Sequence, residues 1–170
     1  MTSLDRALLE RMSSNLDSYG FKVRYSRQSF ERRQPFGRQS LHLAFVRHAA
    51  DFDVVADVAV RFDQVENFVN QSREYLSDSE KRMTHTAGAE LGNIRGHGQS
   101  RWTVSTVQNV NRVAGEIFSR FKEVGLPFLE RLSDLETVAS ILSSDSDEAK
   151  LISPLPESRA ITLSAIRAIL

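Results

Sequence analysis

Apolar residues recur every three or four positions at the start of the chain, at Leu4, Leu8, Leu9, Met12 and Leu16. This spacing predicts an amphipathic helix. The helix should end at Tyr19-Gly20, because glycine supplies the left-handed residue that commonly terminates a helix. From Phe21 the apolar period changes to two, which is typical of a half-buried strand. We predict that this strand runs to about Arg33.

The following segments keep the period of two. The residues from Gln34 to Gly37 (QPFG) predict a turn, because proline fixes one backbone dihedral and glycine tolerates an unusual one. A second strand is predicted from Leu41 to His48. A third is predicted in DVVADVAVRF, where one face carries Val54, Ala56, Val58 and Val60. Short connections between three successive strands favour an antiparallel meander.

Beyond residue 62 some segments have the helical spacing of apolar residues and others have the period of two that is typical of strands. Asp63 and Glu66 have the spacing of a capping box. A stripe of apolar residues predicts a helix from about Gln64 to Leu76, formed by Val65, Phe68 and Val69. Two more strands are predicted, from Thr84 to Ile94 and from Arg101 to Val107, and the intervening GHGQS should join them as a hairpin.

The strongest helical pattern follows, with apolar residues on one face at Val110, Val113, Ala114, Ile117, Phe118, Phe121 and Val124. Gly125, followed by Leu126-Pro127, predicts the end of this helix. Shorter helices are predicted after it, and Pro156 is suited to the first turn of the last one.

These elements predict a single α+β domain over residues 1–170. The predicted order is α-β-β-β-α-β-β-α followed by short C-terminal helices. The antiparallel sheet should have about five strands, with helices packed on one face. The predicted core contains Leu8, Leu9, Phe21, Val23, Leu43, Phe45, Val58, Val60, Phe68, Trp102, Val113, Ile117, Phe118 and Phe121.

Composition narrows the class of protein. The chain is 41% hydrophobic and 26% charged, as soluble globular proteins are. The absence of cysteine excludes disulfides, zinc–thiolate sites and iron–sulfur clusters. The N-terminal sequence lacks the order of a signal peptide, and no apolar run approaches the ~20 residues that span a bilayer. We therefore expect a cytoplasmic bacterial protein with no membrane partner.

The segment from Met83 to Trp102 holds two of the four histidines and four of the eight glycines. It lacks both the GxxxxGK[ST] phosphate loop and a GxGxxG motif that opens a helix. The GHG tripeptide instead predicts a tight turn with His97 exposed and a positive φ at Gly96 or Gly98. Elsewhere, His42 and His48 share a strand face but are ~20 Å apart, too far to share an ion. We predict no metal site, cofactor or catalytic residue.

Charge is distributed unevenly along the chain. Lys+Arg and Asp+Glu balance at 22 each, yet residues 1–50 hold nine basic and only four acidic side chains. We identify five candidate partner-binding residues, Arg24, Arg27, Arg32, Arg33 and Arg38. Three interpretations remain open: protection of a sheet edge against aggregation, contact with an acidic protein, and nucleic-acid binding through residues 20–48. In the last case the interleaved aromatic residues would stack on bases; they are Tyr25, Phe30 and Phe36.

The order of several motifs is similar to that of a known group of proteins. A first helix ending in YGF is followed by VAVRFDQVENFV, a Thr-rich segment leading to ELGNI, a lone Trp102 and a helix ending in GLPFLERLSDLETV. Over roughly residues 5–142 this arrangement resembles small bacterial α+β domains of unknown function, some of which are immunity-like proteins. The resemblance implies an α+β fold and a non-enzymatic protein-binding module. The alternative function, nucleic-acid binding, depends on the basic residues of the segment 20–48 and not on the resemblance. The resemblance includes no catalytic signature, so it implies no functional residue.

Overall fold

A computed structural model describes residues 2–170, and these form an α+β fold around an antiparallel sheet. The strands are β1 (Lys22–Arg24), β2 (Ser29–Gln34), β3 (Gly37–Arg47), β4 (Phe52–Phe62), β5 (Ala87–Glu90) and β6 (Trp102–Val104). The helices are α1 (Ser3–Leu16), α2 (Asp63–Val69), α3 (Asp78–Lys81), α4 (Leu91–Ile94), α5 (Val107–Arg120), α6 (Leu126–Leu132), α7 (Leu135–Leu142), α8 (Asp147–Ile152) and α9 (Pro156–Arg167). The predicted fold class is confirmed.

One face of the sheet forms the core. Leu41 and Leu43 of β3 lie opposite Val58 and Ala56 of β4, and all four are fully buried. Buried residues of the helices complete the same cluster, among them Leu8, Leu9, Met12, Val113, Ile117 and Phe121. The rings of Phe21 and Phe121 meet edge to face at 5.4 Å. Apolar burial on this face is the main stabilising contribution to the fold.

The first predicted strand is divided in two. A 3-10 turn over Tyr25–Arg27 and a left-handed Gln28 (φ 52°) separate β1 from β2, and the two strands pair with each other. The turn contains neither glycine nor proline, the two residues that mark turns most strongly. The only sign of it in the sequence is that the alternation stops after Tyr25 and resumes at Phe30 with the opposite parity. The predicted turn from Gln34 to Gly37 does join β2 to β3.

The predicted hairpin around GHGQS is wrong. Strands β5 and β6 do not pair with each other but lie end to end along the same edge of β4, where Val60 pairs with Ala87 and Phe52 with Val104. Between them the chain leaves the sheet as α4 and a loop. The Glu90 carboxylate stabilises this connecting segment near both of its ends, because it accepts hydrogen bonds from the backbone N–H groups of Asn93 and Ser100 at 3.0 Å.

The turn geometry within that loop is as predicted. Gly96 and Gly98 have φ of 75° and 77°, and His97 is exposed. This turn follows the end of α4 instead of joining two strands. Gly96 and Gly98 therefore supply the left-handed backbone conformation that commonly follows the end of a helix.

The predictions for residues 63–76 need three corrections. Glu66 does not complete a capping box, because its carboxylate turns inward and accepts from the Thr86 hydroxyl at 3.1 Å. Phe68, predicted to be in the core, is 48% exposed, since Val65 and Val69 form the buried stripe of α2. The helix also ends at Val69, and a 3-10 turn follows it.

Gly125 does not end the long helix. The chain passes from α5 through a π-helical turn (Phe121–Gly125) directly into α6. A Cβ at Gly125 would lie 2.8 Å from Leu91 Cδ2 and 2.9 Å from Phe121 Cδ2. Glycine therefore permits close packing here, a requirement that the local sequence pattern does not reveal.

The start of α1 carries a buried carboxylate. Asp5 accepts from the Thr2 backbone N–H at 2.7 Å and from Arg47 Nη1 at 2.9 Å. Burial alone would raise the pKa of Asp5, but the hydrogen bonds from Arg47 and Thr2 outweigh it and hold this pKa below its usual value. The lowered pKa means that the ionised form contributes stability.

We therefore predict a pH-dependent effect for Asp5→Asn. At pH 7 the variant should lose roughly 1–2 kcal/mol, the usual range for a cap and a charge-assisted hydrogen bond. The contribution is present above the unfolded-state pKa near 3.9 and is lost as the pH falls through the folded-state value. Urea unfolding at pH 7 and at successively lower pH values should show the two proteins converging. The matched control is Asp78→Asn, at an exposed carboxylate; a difference that persists unchanged at low pH would contradict the prediction.

Candidate functional site

The face of the sheet opposite the core is polar and carries a row of arginines. Paired residues of antiparallel strands project to the same face. The register pairs Arg33 of β2 with Arg38 of β3, and Arg38 with Arg61 of β4. These three residues form what we call the arginine row. Like charges placed directly opposite each other destabilise a sheet, so the row works against stability unless other groups compensate it.

Arg38, at the centre of the row, is only 6% exposed. Its Nη2 donates to the Arg82 carbonyl at 2.8 Å and, more weakly, to the Thr84 carbonyl at 3.4 Å. Within residues 2–170 its buried Nε has no hydrogen-bond partner, and a carboxylate oxygen of Glu31 lies 3.9 Å away. Burial lowers the pKa of Arg38, an effect that Glu31 opposes and the Arg61 charge strengthens. A guanidinium nevertheless remains charged at neutral pH.

Arg61, 4% exposed, holds a separate segment of the chain against the sheet. Its Nη1 donates to the Thr84 hydroxyl at 2.7 Å, to the Thr84 carbonyl at 2.9 Å and to the Lys81 carbonyl at 3.1 Å. Its Nε donates to Asp63 at 2.7 Å. Asn70 reinforces the arrangement by donating to the same Lys81 carbonyl and Thr84 hydroxyl at 3.0 Å. Residues 81–84 are therefore fixed over one end of the arginine row.

These contacts form a groove of about 360 Å³. We call it the arginine groove, and its lining residues are Arg27, Glu31, Arg33, Arg38, Arg61, Asp63, Asn67 and Arg82. A second groove of about 390 Å³ adjoins it and shares Arg61, Asn67 and Arg82. Five arginines against two carboxylates leave the arginine groove strongly positive. A concave surface lined by one sign of charge attracts ligands of the opposite sign.

The carboxylates in the arginine groove are already engaged. Glu31 is 7% exposed and accepts from Arg24 Nε at 3.2 Å, with Arg27 at 3.5 Å. Asp63 accepts from Arg61. Neither Arg33 nor Arg82 forms an ion pair in the described part of the chain, and both are exposed. The uncompensated charge of the groove is thus concentrated at Arg33, Arg82 and the partly paired Arg38.

The structure brings together most of the predicted partner-binding residues. Arg27, Arg33 and Arg38 line the arginine groove, and Arg24 lies beside it on the edge strand β1. Arg32 is not part of this set. It lies on the core face, where its Nε donates to Gln39 at 2.7 Å and its guanidinium stacks over the Phe21 ring at 4.9 Å.

Two of the arginines that line the groove were missed from the sequence. Arg61 occupies a polar position in an alternating strand, so the pattern could have placed it on the same face as Arg38 once the strand register was known. No local signal marks Arg82, which reaches the groove only because residues 81–84 dock on the sheet.

The interleaved aromatic residues do not line the arginine groove. Phe30 is fully buried in the core, and the ring of Phe36 stacks on Phe62 with centroids 4.6 Å apart. Tyr25 lies beneath the guanidinium of Arg6 at 5.0 Å. The surfaces predicted to stack on bases therefore point elsewhere.

Among residues 2–170 the structure shows no group of three or more histidine, aspartate or glutamate side chains placed to hold a metal ion. His48 Nε2 lies 3.2 Å from Asp53, and His42 lies 3.9 Å from Asp57, so each meets one carboxylate. His85 Nε2 lies 3.2 Å from the Ser40 hydroxyl, which is buried and also donates to a backbone carbonyl.

The environment of His85 keeps its imidazole neutral. Burial, followed by the positive charges of Arg38 and Arg61, lowers the pKa of His85 to about 4. The residue as a whole is nonetheless exposed to water, which weakens these effects. The direction still makes the imidazole neutral at pH 7, so His85 adds no charge to the neighbouring arginine row.

Comparison with known proteins finds no family model, no curated protein and no solved structure that matches this chain. Among the helices described, none combines the length and apolar character needed to cross a bilayer.

Proposed function

We propose that the protein is a non-enzymatic binding module that recognises an acidic protein through the arginine groove. The single observation that carries this proposal is the convergence of five arginines, three of them in register on adjacent strands. The clamp on residues 81–84 accounts for Arg38 and Arg61. It does not account for Arg33 and Arg82, which are exposed and form no ion pair within residues 2–170, so a ligand of opposite charge explains their presence in the groove best. An immunity-like role, which the sequence resemblance implies, belongs to the same class of function.

An acidic protein fits the groove better than a nucleic acid. Glu31 and Asp63 lie among the arginines, so the positive charge is confined to a few side chains and does not form the continuous stripe that follows a phosphate backbone. A protein surface can match such a local pattern of charge. The absence of aromatic residues from the groove lining also removes the stacking contacts that single-stranded nucleic acids use.

Partner capture from the native cell tests the proposal. We expect the wild-type protein to retain an acidic protein that the double variant Arg33→Glu/Arg82→Glu loses, with affinity for the purified partner reduced by roughly 100-fold or more, because like charges then meet at the interface. The matched control is Arg11→Glu/Arg167→Glu, which reverses two exposed arginines on α1 and α9 and should bind as the wild type does.

Two results would contradict the proposal. One is a partner retained equally by wild type and groove variant. The other is groove-dependent binding to nucleic acid in place of protein, with an affinity that falls with salt by a log–log slope of about −0.7 to −0.9 per phosphate neutralised. The second result would establish the alternative function.

A further inference from the structure

We infer that the arginine groove takes a phosphate monoester group, held by Arg33, Arg38 and Arg82. The inference deepens the proposed function, because it names the chemical group that a ligand presents to the groove. It depends on the proposed function only for the location of the site. The group could belong to a phosphorylated side chain of a protein partner or to a small phosphorylated molecule, and both present the same chemistry.

Charge favours a phosphoryl group over a carboxylate. The groove has five arginines and two carboxylates, and those carboxylates are already paired with Arg24, Arg27 and Arg61. A carboxylate ligand would bring a single negative charge. A phosphate monoester carries about −1.5 to −2 at pH 7 and offers three acceptor oxygens, which matches three guanidinium groups more completely.

Hydrogen-bond donors also remain for such a ligand. The bonds described above use Nη2 of Arg38 and leave its Nε without an acceptor among residues 2–170. A buried donor without a partner costs free energy, and an anion entering the groove could offset that cost after a small shift of the side chain. The contacts to the Arg82 and Thr84 carbonyls already restrict the Arg38 guanidinium, so binding orders it at little further entropic cost.

The dimensions fit one phosphoryl group and its attachment. A groove of about 360 Å³ admits a phosphate monoester together with the atoms next to it. The adjoining groove of about 390 Å³ continues past Arg82, and its lining includes the exposed amides of Asn67 and Gln71 together with Lys81 and Asp78. Amides donate and accept hydrogen bonds, so this second groove suits the polar remainder of the ligand.

Structural clamping alone does not explain the site. Holding residues 81–84 accounts for the burial of Arg38 and Arg61, because their donors meet backbone carbonyls of that segment. It does not account for Arg33 and Arg82, whose exposed side chains form no ion pair in the described chain. These two residues can be changed without disturbing the clamp, which makes them the informative positions for a test.

The test is a titration of the ¹⁵N-labelled purified protein with phosphoserine, monitored through the arginine Nε–H resonances. We expect the Arg33 and Arg38 signals to shift with a Kd below about 1 mM at low salt. Arg33→Gln/Arg82→Gln should weaken binding at least roughly tenfold, because two charge-assisted contacts are lost. Arg11→Gln/Arg167→Gln is the matched control and should leave the Kd unchanged. Glu31→Gln should tighten binding, since it removes a negative charge from the groove.

Further probes separate the ligand classes. Binding of phosphoserine should strengthen from pH 5 to pH 7 as the second phosphate proton leaves near pH 6. Tighter binding of a phosphoserine peptide than of free phosphoserine would identify a protein side chain as the source, and the reverse order would identify a small molecule. The inference is overturned if the arginine signals do not shift, if the groove variant binds as the control does, or if a glutamate-containing peptide binds as tightly as its phosphoserine counterpart.

Failure of this inference is distinguishable from failure of the proposed function. A protein partner that depends on Arg33 and Arg82 but gives no phosphoserine binding would overturn only the phosphoryl group. Phosphoserine binding without a groove-dependent protein partner would overturn only the acidic-protein proposal.

Discussion

Gly37→Ala should destabilise the protein by at least about 3 kcal/mol, because the substitution combines backbone strain with a clash. Gly37 begins β3 after the turn from β2 and has a φ of 150°, which side-chain-bearing residues rarely adopt. A Cβ at this position would lie 2.2 Å from the Arg61 carbonyl oxygen and 3.1 Å from the Asp63 backbone nitrogen. Both are backbone atoms, so no rotamer change relieves the contact.

Gly96→Ala is the matched control for this prediction. Gly96 also has a positive φ, 75°, but a Cβ there would meet no heavy atom within 4 Å in the part of the chain that the structure describes. Only the strain of the positive φ then opposes the substitution, and we expect the free energy of unfolding to fall by about 1 kcal/mol. Urea unfolding of both variants measures the difference. Equal losses would show that the close approach of β4 to Gly37 does not determine stability.

Arg61→Met should produce the second large effect, a loss of roughly 3–5 kcal/mol, which is typical when one partner of a buried ionic network is removed. The substitution removes donors to Asp63, Lys81 and Thr84. It also takes away the nearest positive charge on one side of Glu66, whose buried Oε2 lies 4.0 Å from Arg61 Nη1 and 3.9 Å from Arg73. Methionine fills a similar volume but satisfies none of these groups.

Two measurements check the Arg61 prediction. Denaturant unfolding gives the loss in stability, and hydrogen exchange should show that the amides of residues 81–86 lose protection before the rest of the sheet. Arg33→Met serves as the control, since Arg33 is exposed and forms no ion pair among residues 2–170; its effect should stay within about 0.5 kcal/mol. An unchanged exchange pattern in Arg61→Met would contradict the role of Arg61 as a clamp.

The candidate site was partly predictable from the sequence. The concentration of arginines in residues 20–48 is visible without a structure, and Arg27, Arg33 and Arg38 do line the groove. Arg32 is different because it shares the period-two face of the buried Phe30. Charge alone suggested grouping it with its neighbours, whereas the pleat of the strand places adjacent residues on opposite faces.

Predictions made from short sequence motifs were wrong where contacts with distant segments of the chain determine the local structure. Gly125 followed by Leu126-Pro127 has the pattern of a helix end, yet the chain continues helically because Gly125 packs closely against Leu91. Similarly, Glu66 has capping-box spacing from Asp63 but bonds to Thr86, a residue twenty positions away. In both cases tertiary packing outweighs a local preference worth about 1 kcal/mol.

The α+β class, the helical stripe of α5 and the alternation of strands β3 and β4 can be read directly from the residue pattern, because the geometry of the helix and of the pleated strand produces these periods. The residue pattern does not show that Arg33, Arg38 and Arg61 stand side by side or that Arg82 joins them. Their meeting depends on the register between strands and on the docking of residues 81–84, which contacts between residues far apart in the chain establish.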